Sequence, residues 1–509
     1  MENKIIVGVL CLNSKIIMGL TKKNVPMKLF KPINKKYPNF NVPTRMKYRN
    51  KDVYVTIRYK LKTEKYYIGE LHRVIGEVGD LNIEKEVLKY KYGIKYKKDS
   101  RKIYYETEKD PYENIRKNYT LLMTVSIDPP NCEDIDDALH YRDIDEQYCE
   151  FGIHIADVAS YIKSDSILDS KIKNKLESVY LDWERIDMIP TYIALNKYSL
   201  KDNKLSHTSS IIYKYDKKNR KIVNYKITKG LIRNHAMSYE KATEILTQYD
   251  FYSSTVRNLY NIGKQLSNNH RHYDMHKMVE TYMVLANSTI GNEIIERGIN
   301  GIFRVQKSSD KELIEIKNKK IENMINKFRY EKAEYIYGNK NNIGHNALKK
   351  INYCHFTSPI RRYIDIITHR IIYDNITHDY SELCKQINKK HKKVQKAQRE
   401  SKRLNLIYKI YETTKIIETE CKVVNIYKNR INIYIEKYDL ETSVKLYDSK
   451  LNRLINYESN EKYIVLKNGN IIKKIGLLDT LNIKIVIDIM NPFDKLLVKI
   501  EELNDLFIK

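Results

Sequence analysis

The sequence predicts a multidomain chain in which small β-barrels flank one large α+β domain. At 509 residues it exceeds what a single hydrophobic core usually serves, so two to four domains are expected. Short β-rich runs broken by turns fill both ends, whereas the middle alternates strands with long helical stretches.

Taken in order, residues 1–111 carry runs such as VYVTIRYKL (53–61) and YYIGELHRVIGEVGD (66–80), the pattern of small barrels. Residues 1–45 alone are short for a complete barrel, so a truncated first unit is expected there. The start, MENKIIVGVLCLNSKIIMGL, reads as a strand pair: Asn13, Ser14 and Lys15 interrupt its apolar run, and no small-residue cleavage site follows. From 112 to 400 strands such as LLMTVSID (121–128) and FGIHIADV (151–158) precede helical stretches at 276–297 and 358–376. Residues 385–403, KQINKKHKKVQKAQRESKR, form a basic helical run, either a solvated connector or a phosphate contact. From 416 to 505 the chain is β again. INIYIE (431–436) and LNIKIVIDI (481–489) turn alternate isoleucines, Ile431, Ile433, Ile435 and then Ile483, Ile485, Ile487, Ile489, to one side, as in a five-stranded barrel.

Lys and Arg total 92 against 64 Asp and Glu, a net charge of +28. Such a field recruits polyanions. The abundance of Lys, Ile, Asn and Tyr, with 43 tyrosines, also reflects an AT-rich coding bias, so local constellations carry more weight. Six scattered cysteines (11, 132, 149, 354, 384 and 421) with no Cys-x-x-Cys pair suit free thiols in a reducing compartment and argue against a disulfide scaffold or zinc ribbon. No apolar stretch approaches the ~20 residues a bilayer requires, so a soluble protein with no membrane partner is expected.

Two segments carry chemistry. Asp128, Glu133, Asp134, Asp136 and Asp137 crowd into ten residues of an otherwise basic chain. Clustered carboxylates raise one another's pKa unless a cation neutralises them, and hard oxygen donors at this density suit Mg²⁺ or Mn²⁺. Pro129-Pro130 makes a rigid turn that can fold the later aspartates back toward Asp128. An exposed acidic loop, a calcium loop or a set of salt bridges would use the same residues, although Ala138 and Leu139 do not fit a calcium loop. In HFTSPIRRYIDIITHR (355–370), Ser358-Pro359 reads as an N-cap and first helical residue, with Ile360, Tyr363 or Ile364, Ile367 and Ile371 as the buried stripe. Arg361 and Arg362 then fall in the first turn, where cations are disfavoured unless an anion such as phosphate sits among the free N–H groups. An Arg361–Asp365 pair at i, i+4 is the plainer reading.

Together, IDPPNCEDIDDAL (127–139) and HFTSPIRRYIDIITHR resemble the two signatures of the RNase II/RNase R (RNB) family, including its exosome-associated Dis3-like branch. FGIHIADVASYI (151–162), SVYLDWERIDMIP (178–190) and MVETYMVLAN (278–287) fall between them in the family's order, and HRVIGEVGDLNIEKEVLKYKYGI (72–94) is similar to the end of the Dis3-like cold-shock-type domain. The resemblance extends over about residues 50–505. It implies a cold-shock/OB-like region at 1–111, an RNB catalytic domain at 112–400 and an S1-like OB barrel at 416–505. It also implies processive 3′-to-5′ hydrolysis of single-stranded RNA to nucleoside 5′-monophosphates by two Mg²⁺ ions, with Mn²⁺ as substitute.

Residue by residue, the resemblance makes Asp128, Asp134, Asp136 and Asp137 the metal and catalytic set, with Glu133 outside it. Arg361 would hold the scissile phosphate, with Arg362 beside the RNA. Tyr180 would stack on a base near the 3′ end, and Glu280 and Asn287, two turns apart on one helix face, would line the pocket. His154 and Asp157 read as structural. The sequence departs from the family pattern in three places. The stretch before the 278–287 helix (NNHRHYDMHKMVE) is short and leaves only Tyr273 as a second stacking aromatic; Gln306 stands where His is common; and Thr281 replaces a second Glu. No further nuclease domain is expected ahead of the barrels. A monomer in the cytoplasm (the host's, if the source is viral) is expected, with the nucleus as an alternative site and an accessory helicase or exosome-like assembly as conceivable partners. The rival readings are a catalytically inactive RNA-binding regulator on the same fold and an array of RNA-binding modules.

Overall fold

A computed structural model describes residues 5–47, 49–62, 66–94, 109–248, 251–267, 273–308, 312–339, 344–374, 378–427, 429–446, 456–459, 462–468 and 471–501. Period-2 alternation in the first strands buries Ile6, Leu10, Phe30, Phe40 and Val55 in one core. Around it β1 (Ile5–Leu10), β2 (Met27–Pro32), β3 (Phe40–Pro43), β4 (Val53–Lys62) and β5 (Tyr67–Glu77) close into a barrel in the order β1-β2-β3-β5-β4. The truncated first unit expected over residues 1–45 is thus corrected. That stretch supplies three strands of a single barrel, because β1 pairs along its whole length with β4. A helix, Leu81–Tyr92, leaves the barrel. Asp80 caps it by accepting the N–H groups of Asn82 and Ile83, and Gly93, at φ +70°, ends it in the left-handed conformation glycine adopts without penalty.

The central domain is built on one sheet. Its strands are β6 (Lys117–Asn118), β7 (Thr124–Asp128), β8 (Asp137–Asp143), β9 (Tyr148–Ala156), β12 (Leu205–Asp216) and β13 (Lys221–Ser238), in the order β12-β9-β8-β7-β13-β6; β10 (Val179–Leu181) and β11 (Glu184–Ile186) form a separate hairpin. Helices Met275–Glu296 and Tyr363–Asp374 share its core with Phe151, Ile153 and Ile155 of β9. Gly291 allows the first of these helices to touch the 352–354 segment, since a Cβ there would lie 1.5 Å from the Asn352 carbonyl oxygen. His154 and Asp157 serve the sheet, as the sequence reading held. His154 bonds His140 and Ser210, while buried Asp157 accepts from Lys229 at 2.9 Å and Arg116 at 2.7 Å.

The basic run lies within one long helix, Ser381–Thr413. Beyond it, strands Ile416–Tyr427, Arg430–Ile435, Leu440–Lys445, Thr480–Ile487 and Leu496–Ile500 form a five-stranded antiparallel sheet beside a three-stranded one. Among the described residues this sheet is not the closed barrel expected over 416–505. The alternation itself holds: Ile431, Ile433, Ile435, Ile483, Ile485 and Ile487 are buried, and Ile489, past the strand end, is only partly so. Leu88, Leu181, Val394, Leu404 and Ile483 belong to one apolar cluster, which fastens the first helix, the hairpin, the long helix and the C-terminal sheet together. No helix among the described residues is long and apolar enough to cross a membrane.

Candidate active site

β7 and β8 are neighbours in the middle of the sheet, and the acidic segment is the connection between them. The turn works as its residues dictate. Cys132 N–H donates to the Pro129 carbonyl at 3.1 Å, and Asn131 takes the left-handed conformation (φ +62°) that follows a proline in a type II turn. The returning strand is pinned along its backbone. Ser199 Oγ accepts from Ile135 N–H and donates to the Glu133 carbonyl, while Ala156 N–H reaches the Asp136 carbonyl at 2.8 Å. Pairing between β7 and β8 stops at Val125–Leu139, leaving the strand ends that carry Asp128 and Asp137 unpaired with each other.

Burial makes this cluster chemically unusual. Asp136 is 4% exposed, and burial pushes its carboxyl up to about 7 in spite of the Arg361 guanidinium beside it. Burial, with Asp134 nearby, lifts Asp128 to about 6. Asp137 is driven well above the carboxylate range by burial and by Asp128 and Asp136. The half-buried Cys132 thiol, set among the same carboxylates, is pushed up to about 12, which keeps it protonated near neutral pH.

The second signature closes over the first. Asp136 Oδ1 accepts the Ile360 N–H at 2.9 Å and Oδ2 accepts Arg361 Nε at 3.1 Å. Arg361 also donates to Ser358 Oγ and keeps 43% of its side chain exposed. The helix expected to start at Ser358-Pro359 instead starts at Tyr363. Residues 361–363 are drawn into backbone bonds with 176–178, where Ser178 N–H meets the Arg361 carbonyl and Tyr363 N–H meets the Leu176 carbonyl. The anion among the free N–H groups is therefore Asp136 itself. Nor does Arg361 pair with Asp365. Arg362 does, at 2.7 Å, and it is held inward, while Asp365 Oδ1 also receives the Ser358 N–H.

Tyr180, on β10, donates its hydroxyl to Asp134 Oδ2 at 2.5 Å, which brings that aromatic to the carboxylates. Sequence reasoning missed Arg185, opposite Tyr180 in the hairpin register. It reaches Asp134 at 3.1 Å, Glu133 at 2.8 Å and Asp187 at 2.7 Å. Its spacing from Tyr180 on a two-stranded hairpin was the available signal. Glu133 lies outside the carboxylate set, turned to Arg185 and solvent.

The Met275–Glu296 helix separates the pair expected to line one pocket. Glu280 is 50% exposed and pairs with Lys277. Asn287, 3% exposed, accepts the Phe356 N–H and donates to the Tyr353 hydroxyl, so it positions the second signature from behind. Tyr273 is only 8% exposed and packs edge-on against Tyr260, which gives it no ring face for a base. The His276 ring stacks on Tyr239 at 3.5 Å, and Tyr239 lies within electrostatic reach of Asp128 and Asp137. This pair is the aromatic surface the helix offers. Residues 268–272 of the NNHRHYDMHKMVE stretch lie outside the described residues. Gln306 takes up a structural role, accepting from Ala347 N–H and donating to the Glu331 carbonyl.

The resemblance implies a divalent cation, and the donor set meets that requirement at Asp128 more than at Asp134 and Asp136. Among the described residues, no three His, Cys, Asp or Glu side chains already form a ligand cluster. The four oxygens of Asp134 and Asp136 are taken by Tyr180, Arg185, Ile360 and Arg361. Asp128 Oδ2, in contrast, is buried with no partner, and three adjacent carboxyls are raised by burial. An unpartnered, buried carboxyl oxygen among carboxyls raised by burial fits a hard cation.

The pattern of the RNB domain matches residues 116–378, just over half of the chain, and that of the Dis3-like cold-shock domain 2 (CSD2) matches residues 27–93. Exosome complex exonuclease RRP44 of Mus musculus is 27% identical over 531 residues, aligned across 86% of this chain and 55% of its own length. Ribonuclease R 2 of Lactococcus lactis is 25% identical over 327 residues, across 51% of this chain and 49% of its own. The chain thus spans about half the length of the curated relatives it matches. Mycoplasma genitalium RNase R in complex with ribose methylated single-stranded RNA superposes with a TM-score of 0.75 at 17% identity, covering 97% of this chain and 89% of that one. Yeast Ssd1, a pseudonuclease, gives a TM-score of 0.75 at 17% identity, covering 98% and 83%. At that identity the likeness concerns the fold.

Proposed function

The chain belongs to the RNB family, and from that premise we propose that it is a processive 3′-to-5′ exoribonuclease that hydrolyses single-stranded RNA to nucleoside 5′-monophosphates. One observation carries this reading: Asp128, whose Oδ2 is buried without a partner, and Asp137, both raised by burial, converge with the ion-paired Asp136 beside a half-exposed arginine, Arg361, and a tyrosine, Tyr180. A purely structural cluster would pair its charges, because leaving one buried carboxylate unmatched costs several kcal/mol.

Asp128 and Asp137, with Asp134 and Asp136, are the residues that would hold divalent cations, Mg²⁺ in this reading with Mn²⁺ as substitute. When bound, such cations acidify a water and offset phosphate charge, two of them in the form the family implies. Arg361, fixed by Asp136 and Ser358, presents its exposed edge to the non-bridging phosphate oxygens and offsets the charge they develop. Tyr180 offers a ring to the terminal bases and holds Asp134 in place through its hydroxyl. His276 and Tyr239 provide a second stacked surface next to Asp128.

The test is a time course on single-stranded RNA labelled at either end, with Mg²⁺ and with EDTA. The 3′ label should appear at once as a mononucleotide, the 5′-labelled strand should persist until a short end product remains, and EDTA should stop both. A protein that binds the RNA in Mg²⁺ and never shortens it is instead a non-catalytic RNA-binding protein on this fold.

A further inference from the structure

The long helix Ser381–Thr413 carries a charge pattern that catalysis leaves unexplained. Between residues 385 and 409 it holds ten Lys or Arg (385, 389, 390, 392, 393, 396, 399, 402, 403 and 409) and one carboxylate, Glu400, whereas the whole chain has 92 against 64. A coding bias toward Lys raises the number of cations; it does not remove the acidic residues that normally sit among them on an exposed helix face.

The placement is directional. Val394, Ala397, Ser401 and Leu404 are buried, while Lys385, Lys389, Lys392, Lys396 and Arg399 are exposed. Steps of three and four residues keep those five in one row, which runs about 21 Å at the helical rise of ~1.5 Å per residue. Lys393 and Lys402 flank the row and are also exposed. Lys385 meets Glu382 and Lys392 meets Glu334, but Lys389, Lys393, Lys396, Arg399 and Lys402 form no ion pair among the described residues. Glu400, the one carboxylate between residues 385 and 409, is already taken by Lys91 and Tyr92. Like charges three and four residues apart on a helix repel, so the row is stabilised by an anion laid along it.

The helix flanks the candidate site. Ser401 accepts the Asp182 N–H, and Asn405 donates to the Asp182 carboxylate, in the turn of the hairpin that carries Tyr180. Asn388 bonds the backbone of Tyr335, whose ring is near Arg362. A polyanion on the outer face therefore lies alongside the pocket without entering it.

We propose that this outer face is a track for the RNA backbone, holding the part of a long substrate beyond the nucleotides in the pocket. The proposal rests on the reading of the chain as an RNA-binding member of its family, although not on its being catalytic. The test uses the full chain and the variant K389Q/K393Q/K396Q/R399Q, which keeps helix propensity and alters no residue of the site. Binding to RNAs of about 8 and about 40 nucleotides is measured in EDTA over a range of KCl, and hydrolysis of the short RNA in Mg²⁺.

The variant should bind the long RNA more than tenfold more weakly at about 0.1 M salt, with a log–log salt slope shallower by about 3 (roughly 0.7 per single-strand phosphate contact). Its binding and hydrolysis of the short RNA should not change. An unchanged long-RNA slope overturns the proposal and leaves the face to solvent or a protein partner. Equal losses on both lengths, with the melting temperature retained, also overturn it, because the cations then act in the pocket. A wild-type protein that binds long RNA steeply but never shortens it defeats the enzymatic reading and leaves this one standing.

Discussion

Asp136 and Arg361 are joined by a 3.1 Å ion pair between the two signature segments, and the backbone N–H of Ile360 completes the junction at 2.9 Å. The pair is asymmetric. Asp136 is buried, so its charge has little solvent to lean on, whereas Arg361 stands half in water. The arginine is thereby oriented by a residue 225 positions away, and the carboxylate owes what ionisation it has to that arginine.

Replacing Asp136 by Asn keeps the shape and removes the charge. Hydrolysis of single-stranded RNA should fall at least a hundredfold, the scale of losing one group that stabilises developing charge. Binding of the same RNA in EDTA should stay within about threefold, as judged by fluorescence anisotropy. Loss of binding and hydrolysis together would assign Asp136 to folding alone.

Arg185 competes with any cation for Asp134. In Arg185→Gln a positive charge leaves the site, so Mn²⁺ should bind at least tenfold more tightly: tenfold needs only about 1.4 kcal/mol, well under the ~4 kcal/mol between unit charges ~4 Å apart at an effective dielectric of about 20. The turnover number should drop by about tenfold because Asp134 is less firmly oriented. Electron paramagnetic resonance titration of Mn²⁺ reads the first effect without RNA, and weaker Mn²⁺ binding would refute it.

The buried histidines should make the central domain more sensitive to acid than variants that lack them. Burial lowers His369 to about 3 and holds His154 and His355 well below their ordinary range. The folded state therefore resists protons that the unfolded chain accepts near 6.5, so stability is intact above that value and lost progressively below it. His369 alone accounts for about 2 kcal/mol by pH 5. The raised carboxyls of Asp128, Asp136 and Asp137 act in the opposite sense over the same range, so the effect is read as a difference: between pH 7.5 and 5 the urea midpoint of the wild type should fall relative to that of His369→Gln.

Gly291→Ala should be among the most damaging single-methyl changes in the protein. The added carbon meets the Asn352 backbone oxygen, which cannot swing aside as a side chain would. A loss of about 3 kcal/mol or more is expected, at the upper end of overpacking penalties. A melting temperature within a degree or two of wild type would show that the helix can shift to make room.

Both signatures were legible because they are local. The turn chemistry of Pro129, Pro130 and Asn131 is written in adjacent residues, and the carboxylates follow within a few positions. Helix Met275–Glu296 and the alternating isoleucines of the C-terminal sheet were equally plain, since burial on one face imposes a period. The second-signature helix starts four residues later than its local sequence predicts, at Tyr363 and not Pro359. Local propensity favours Ser358-Pro359, but backbone bonds from 176–178 extend the chain through Arg362 instead.

Tyr273 and Glu280 show the same limit from another side. Spacing puts Glu280 and Asn287 on one face, but it cannot say that the first reaches solvent and the second lies beneath the 353–356 segment. The acidic segment that identifies the chemistry, the order of the domains and the excess of positive charge were determined by the sequence alone, because each depends on residue type and short-range geometry. Which carboxylate meets Arg361, that Arg185 clamps Asp134, and that the N-terminal strands close one barrel were decided only by tertiary structure. Those contacts join residues tens to hundreds of positions apart, and burial, which sets both their strength and the carboxyl pKa values, exists only once the chain has packed.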